Sequence, residues 1–359
     1  MGAIQDIMIM GDEPYNDDKG KYDEIVEGLK NNKFGKESII FITGSGISTK
    51  AGIPTFRSKD GLFEKAQKEY NLSRPETILQ INYFYKNPET FYRFYKKYFD
   101  ISKCRPTPTH LFMGFLCKKG FVKRIFTQNI DSLELLAGVP KEKITFAHGT
   151  ISKAGCPRCL LEQDIGKVRE NIDLGNVLRC EKCNTPVKPK IVFYGEKLPE
   201  EFFLKFNEVY DADLAFIMGT SLAVYPFNQL PYGIKKNGWR VMVNKRKAEN
   251  FFGGLMTMNQ FRFNNPKKKD LFLNGTTDEI VLKLIKDCEW EEDFYKYCND
   301  IWHKNYGENY EKVEFLKKEN EEKNVGNNND RKQEQKEEGM NIINENFNLK
   351  KINSLSDLD

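Results

Sequence analysis

Residues 38–58 read SIIFITGSGISTKAGIPTFRS, and this stretch decides how the rest of the chain is placed. A run of β-formers, Ile39, Ile40, Phe41 and Ile42, stops at Gly44-Ser45-Gly46. A strand that feeds a tight glycine turn leaves bare backbone N–H groups able to face a pyrophosphate. The third glycine of G-x-G-x-x-G is missing, since Thr49 holds its place. No Gly-Lys-Ser/Thr follows either, which excludes a Walker A loop. Instead come Ser48, then Pro54, Phe56 and, nine residues after that serine, Arg57.

Working outward, strands are expected at Ser38–Thr43, Val122–Thr127, Asp213–Met218, Trp239–Val243 and Leu271–Leu273. Helical patterns lie between them at Pro75–Tyr98, Thr109–Lys119, Pro199–Val209 and Asp278–Asp287, after a short amphipathic helix near Tyr22–Leu29. Strands alternating with helices predict an α/β fold with a doubly wound parallel sheet. Two segments interrupt the alternation, an aromatic stretch near 60–105 and a cysteine-bearing stretch at 151–190, and are read as a second, smaller lobe. Past about Tyr310 the run ENEEKNVGNNNDRKQEQKEEG holds one aliphatic residue, Val325, and is expected to be disordered.

The 359 residues hold one large domain plus additions, or two domains. With 56 basic and 52 acidic residues the net charge is +4, so charge alone gives no reason to expect nucleic-acid or lipid binding. No apolar stretch approaches the about 20 residues that span a bilayer. The N-terminus has acids early and no basic segment, against a signal peptide. These features predict an intracellular protein, cytoplasmic and/or nuclear.

Four of the eight cysteines form two C-x-x-C knuckles, Cys156/Cys159 and Cys180/Cys183. Their spacing matches a tetrahedral Zn(Cys)4 site, which with four protein ligands is structural, not catalytic. Two redox pairs are the competing reading. Of the three histidines, His303 is expected in solvent and His110 at a helix start, packed or capping with Thr107 or Thr109. His148, in FAHGT, suits a cleft wall as well as a packed position. Polar residues end three successive strands: Gln128, Asn129 and Asp131 in TQNID, Thr220 and Ser221 in GTSL, Asn244 and Lys245 in VNK. Each motif alone could make a turn; together they outline one crevice at the carboxyl ends of the strands.

GSGISTKAGIPTFRS, TQNID, HGT, the paired knuckles, VKPKIVFYGE, MGTSLAVYPF and VNK occur in the order and spacing of sirtuins. Over about residues 30–300 the chain resembles these NAD-dependent protein deacylases, the class I branch in particular. The resemblance implies a large Rossmann-like domain with a smaller inserted zinc-binding lobe (about 151–190) and an acyl-lysine peptide entering between them. The domains implied are an N-terminal extension (1–36), a catalytic domain (37–303) and a polar tail (304–359). Ser45, Gly46, Ile47, Ser48 and Thr49 would surround the NAD phosphates and ribose, with Thr55, Phe56 and Arg57 continuing the site. Gln128, Asn129, Ile130 and Asp131 would line the ribose and nicotinamide pockets. Thr220, Ser221, Asn244, Lys245, Arg246 and Thr277 would hold the adenosine half. Val192, Phe193, Gly195 and Glu196 would meet the substrate.

In that chemistry NAD is consumed as a co-substrate and zinc stays structural. The acyl oxygen of the modified lysine attacks the ribose carbon bearing nicotinamide. His148 is the implied general base, Asn129 orders water, and the products are nicotinamide, O-acyl-ADP-ribose and free lysine. The partner implied is an acyl-lysine protein, histone or non-histone, with no direct nucleic acid and no membrane. Four positions depart from the family pattern: Ser45 in the turn, Thr55 for the usual Asp of DFR, Lys190 for the Asp of KPD, and Thr277 for a frequent Cys. Mono-ADP-ribosyl transfer would use the same cleft, and a non-catalytic NAD sensor is disfavoured by the intact Asn129, Asp131 and His148. A dehydrogenase is disfavoured by the missing third glycine.

Overall fold

Six parallel strands form the main sheet of the computed structural model, which describes residues 19–247 and 261–307 apart from 264 and 266. They are β1 (Ile39–Thr43), β2 (Val122–Thr127), β3 (Ile144–Phe146), β7 (Leu214–Met218), β8 (Trp239–Asn244) and β9 (Asp270–Asn274), in the order β3-β2-β1-β7-β8-β9. Every residue of β1 and β7 is buried, as expected of parallel strands covered on both faces. On one face Phe41 stacks on Phe216 with ring centroids 5.3 Å apart, and Phe112 meets both edge-on. On the other, Ile40, Ile42, Phe126 and Ile217 pack with Phe202 and Phe227. Each such fully buried ring contributes ~1.5–3 kcal/mol. Between β8 and β9 the register partners Arg240 and Asp270 form a buried bidentate pair at 2.6 and 2.8 Å.

From β1 the chain winds out to β2 and β3, then returns to β7 on the other side of β1. The strand order therefore reverses between β1 and β7, and a crevice opens at their carboxyl ends. All five strands expected from the sequence form, with ends shifted by a residue or two. The helix Lys19–Lys30 buries Tyr22, Ile25 and Leu29, and the Tyr22 hydroxyl donates to Asp287 at 2.7 Å.

The smaller lobe is built on the antiparallel sheet β5-β4-β6, with β4 (Gly149–Gly155), β5 (Glu162–Gln163) and β6 (Lys188–Ile191). Phe84, Phe91 and Phe94 from the aromatic stretch share one core with Ile151, Val168, Val187 and Phe193 from the cysteine-bearing stretch. The two interruptions of the alternation thus fold together. The expected helix over Pro75–Tyr98 divides into a 3₁₀ turn Pro75–Leu79 and helices Ile81–Lys86 and Pro88–Tyr98. Gln80 is extended at one break, flanked by the Leu79 carbonyl and Ile81 N–H that bond Tyr194. Asn87 precedes Pro88 at the other, where the ring disfavours a helical residue before it.

The chain divides into two compact units, 10–301, which carries both sheets and the residues of the site described below, and 1–9 with 302–359. Of the second, 302–307 are described, and the expected tail beyond them lies outside the described residues. Among the described residues no helix is long and apolar enough to cross a membrane.

Candidate functional site

The crevice begins where two glycine turns touch. The Gly44 N–H donates to Met218 O at 3.1 Å and the Gly46 N–H to Gly219 O at 2.9 Å. A Cβ on Gly46 would lie 2.6 Å from Gly219 Cα, so only glycine lets the two loops approach this closely. Residues Ser45–Ala51 then coil into a 3₁₀ turn that ends on Gly52 at φ 87. Ile47 is buried beneath it, its carbonyl accepting from the Thr107 hydroxyl at 2.9 Å, while Thr49 stays exposed. The strand and the tight glycine turn form as the sequence predicts, with the helix start tightened to 3₁₀, but the N–H groups of Gly44, Gly46 and Ile47 are not bare: each bonds a carbonyl within the protein.

Below the turn lies a buried polar chain. The Asn129 side-chain amide donates to Ser48 Oγ at 3.1 Å, and the Ser48 hydroxyl donates to Asp131 at 2.8 Å. The other Asp131 oxygen accepts the Leu133 N–H at 3.0 Å. Burial pushes the Asp131 carboxyl up, and these two donors pull it back. Gln128 accepts from the Thr220 hydroxyl at 2.7 Å, and the Asn244 amide donates to Thr220 O at 3.0 Å. So the ends of β2, β7 and β8 are joined in one line, as the sequence predicts. Ser221, Lys245 and Arg246 lie exposed beyond it. Thr277 is buried, its hydroxyl 3.0 Å from that of Thr109.

His148 stands between β3 and β4. Its Nδ1 lies 3.2 Å from Gln128 O. A carbonyl can only accept, so Nδ1 carries the proton and the lone pair sits on Nε2. The ring is hemmed in by protein, with Phe227 6.2 Å away centroid to centroid, and burial lowers its pKa from 6.5 to about 4. His148 is therefore neutral across the physiological range. His110 proves to be a cap: it completes a capping box with Thr107.

Along the other wall, Phe56 packs on Phe63 at 5.5 Å, and the Thr55 hydroxyl donates to Ser58. Arg57 pairs with Glu76 at 3.2 Å, donates to the Tyr194 hydroxyl at 2.8 Å and lies 5.4 Å over the Phe63 ring. Ile130, next to the polar chain, belongs to the small lobe's core. Extended alternation past β6 turns Phe193 inward, 1% exposed against Phe84 and Phe91, which leaves Val192 and Tyr194 facing out. Tyr194 escaped the sequence reading for this reason, since the period of two is visible only once the strand is placed. Gly195 turns the chain at φ 95. Glu196 caps the Phe193 N–H at 2.7 Å and pairs with the buried Lys188 at 3.0 Å. Lys190, half-buried, pairs instead with Glu162 across the small sheet.

The four knuckle sulfurs lie within 4.8 Å of one another, with Cys156–Cys183 at 3.4 Å and Cys159–Cys180 at 3.5 Å. No disulfide joins them. A tetrahedron with Zn–S bonds of about 2.3 Å has edges near this length, so the group fits a structural zinc ion. Each knuckle closes the same way: Leu160 and Asn184, the residues after the second cysteines, both adopt φ near 60° (61 and 56) and return their N–H to the carbonyl of the first cysteine.

Comparison with known proteins agrees with this geometry. The Sir2 family model matches residues 44–226. The chain is 42% identical over 265 residues to the NAD-dependent deacetylase sir2A of Dictyostelium discoideum, covering 72% of this chain and 50% of that protein. It is 36% identical over 282 residues to the NAD-dependent protein deacetylase hst2 of Schizosaccharomyces pombe, covering 78% and 80%. Against the NAD-dependent protein deacetylase sirtuin-2 of Danio rerio it is 37% identical over 265 residues, covering 72% and 69%. The matched part spans half the length of the Dictyostelium sir2A and four-fifths of the fission-yeast protein. From the touching glycine turns to the end of the strap after β7, this chain belongs to the Sir2 family.

Proposed function

We propose that the chain is an NAD-dependent protein-lysine deacylase whose catalytic body runs over about 37–303. The observation that carries this reading is the pairing of a neutral, tautomerically fixed His148 with the buried Asn129–Ser48–Asp131 chain at the switch point of the sheet. NAD, when bound, supplies a ribose carbon made electrophilic by the departure of nicotinamide.

The protein's own groups divide the remaining work. Ser45, Gly46 and Thr49 line the turn for the phosphates, and the exposed Lys245 and Arg246 add positive charge beyond β8. Gln128 and Asp131 offer acceptors for ribose hydroxyls, and Phe56 and Ile130 exclude water from one side. His148 Nε2 takes a proton from a ribose hydroxyl, a task that suits a base kept neutral at working pH. Asn129 orients the water that completes hydrolysis. Val192, Gly195 and Glu196 form or brace the edge along which an acyl-lysine peptide lies, in a protein substrate that is histone or non-histone. Four thiols grouped for a metal and no disulfide among the described cysteines suit a reducing compartment, the cytoplasm or the nucleus.

The test is incubation of purified protein with an acetyl-lysine peptide, with and without NAD, followed by mass spectrometry. Loss of the acetyl group and release of nicotinamide only when NAD is present are expected. Nicotinamide release with the acetyl group retained would overturn the reading in favour of ADP-ribosyl transfer.

A further inference from the structure

Behind the polar chain lies charge that the proposed chemistry does not use. His110 and Glu134 are wholly buried, and Asp131 is nearly so. They come from three places: the start of the helix Pro108–Lys118, the short helix Leu133–Leu136 and the loop after β2. A ring nitrogen of His110 and one carboxyl oxygen each of Asp131 and Glu134 all lie within 4.8 Å of one another. His110 Nδ1 faces Thr107, 3.2 Å from its backbone N–H and 2.8 Å from its Oγ1, which leaves Nε2 on the far side of the ring. That Nε2 and both Glu134 carboxyl oxygens are buried without a hydrogen-bond partner.

Asp131 differs from Glu134 in one respect: it already accepts two donors, the Ser48 hydroxyl and the Leu133 N–H. Two carboxylates this close in a buried place hold one proton between them at neutral pH. The negative charge stays where donors solvate it, on Asp131, and the proton goes to Glu134. The neighbouring titratable groups do not change this balance. Cys104, on the loop before the helix Pro108–Lys118, has its thiol pushed up to about 11 by burial. Asp278, on the helix Thr277–Asp287, turns to the Thr109 N–H and hydroxyl at 3.0 and 2.6 Å.

We infer that Glu134 is a positioning residue: held as a neutral acid, it leaves Asp131 the one negative charge on the pocket floor and so fixes the direction of the Asn129–Ser48–Asp131 chain. The Ser48 hydroxyl has a single proton. Given to Asp131, it leaves Ser48 able only to accept from Asn129, which sets the Asn129 amide with its oxygen away from Ser48. A proton on Asp131 would reverse the chain and release that amide. Burial and the Asp131 charge push the Glu134 carboxyl up to about 8, so its proton is in place at neutral pH and leaves on the alkaline side. The catalytic consequence rests on the deacylase reading; the location of the proton does not.

Two measurements test this. In wild-type protein, kcat/KM for NAD is expected to fall about tenfold per pH unit above a midpoint of about 8. Glu134→Gln keeps the neutral shape and should abolish that limb while retaining turnover at neutral pH. Infrared difference spectra of the NAD-free protein should show a protonated-carboxyl band that disappears through the same midpoint. That band should be absent in Glu134→Gln and present in Asp278→Asn, which removes another buried acid. An alkaline limb unchanged in Glu134→Gln, or a wild-type spectrum without the band, overturns the inference. Protein that shows the band but never deacylates would instead overturn the deacylase reading and leave the proton on Glu134.

Discussion

Replacing Gly46 by Ala adds one methyl group where the structure has no room for it. The new carbon would lie 2.6 Å from Gly219 Cα, 2.7 Å from its carbonyl oxygen and 3.0 Å from its carbonyl carbon. Comfortable carbon contacts are about 3.5–4.0 Å, so the loops after β1 and β7 must part by about 1 Å. All three neighbours are backbone atoms, and no rotamer change can relieve the clash. Overpacking of this kind costs ~1–3 kcal/mol. Stretching the 2.9 Å bond from the Gly46 N–H to Gly219 O adds about 1 kcal/mol. At ~2–4 °C per kcal/mol for a domain of this size, Tm should drop by about 4–16 °C. Gly52→Ala is the control, because Gly52 has φ 87 but nothing within 4 Å of an added Cβ. It should lose ~1–2 kcal/mol to backbone strain and bind NAD as before. Thermal unfolding with and without NAD reads both effects, since a ligand that binds the native state raises Tm by an amount that grows with the logarithm of its concentration over Kd. A Gly46→Ala protein with wild-type Tm and a wild-type NAD shift would refute the close-approach argument.

His148→Ala should lower deacylation by roughly 10²–10⁴-fold and leave the NAD-induced thermal shift intact; near-wild-type turnover would remove His148 as the base. Because burial depresses the His148 pKa, the neutral form is lost only as pH falls through about 4, and the acid limb of kcat/KM should lie there and not at 6.5. Cys180→Ser should lower zinc content and destabilise the small lobe, since structural zinc binding is coupled to folding; active wild-type protein without zinc by elemental analysis would contradict this. Acetyl and longer aliphatic acyl groups should be preferred over succinyl by more than about a hundredfold, because an unpaired buried carboxylate costs several kcal/mol. Phe63 and Phe56 offer that group no charge, and Arg57 above Phe63 is already held by Glu76. Equal kcat/KM on acetyl- and succinyl-lysine forms of one peptide would show the reasoning to be wrong.

Five of the six strands of the main sheet were legible because they read as apolar runs, IIFIT and LAFIM above all, whereas β3, three residues long, was too short to register. The knuckles were legible because zinc ligation is written in short spacings. The strands of the small lobe were not. β5 has two residues, β6 opens with Lys188 and Pro189, and their pairing with β4 spans sequence distances that no local pattern reports. The helix Glu291–Tyr306 went unplaced, its charged surface masking the buried Phe294, Tyr297 and Cys298. In the site, Gln128, Asn129 and Asp131 announced themselves by following a strand. Glu134 did not, because an acid among leucines in SLELLAG looks like an ordinary helix residue until His110 and Asp131 arrive beside it from elsewhere in the chain.

His148 is fastened twice. Its ring is tied to Gln128 O, and its own carbonyl accepts the Val192 N–H at 2.8 Å. The second bond joins the proposed base, through the main chain, to the segment along which the peptide is proposed to lie. The base therefore hangs between the two lobes, on Gln128 at the end of β2 and on Val192 beside the small sheet, as a plank rests on two banks. A change in the angle between the lobes would load these two bonds before it reached the turn where Gly46 meets Gly219.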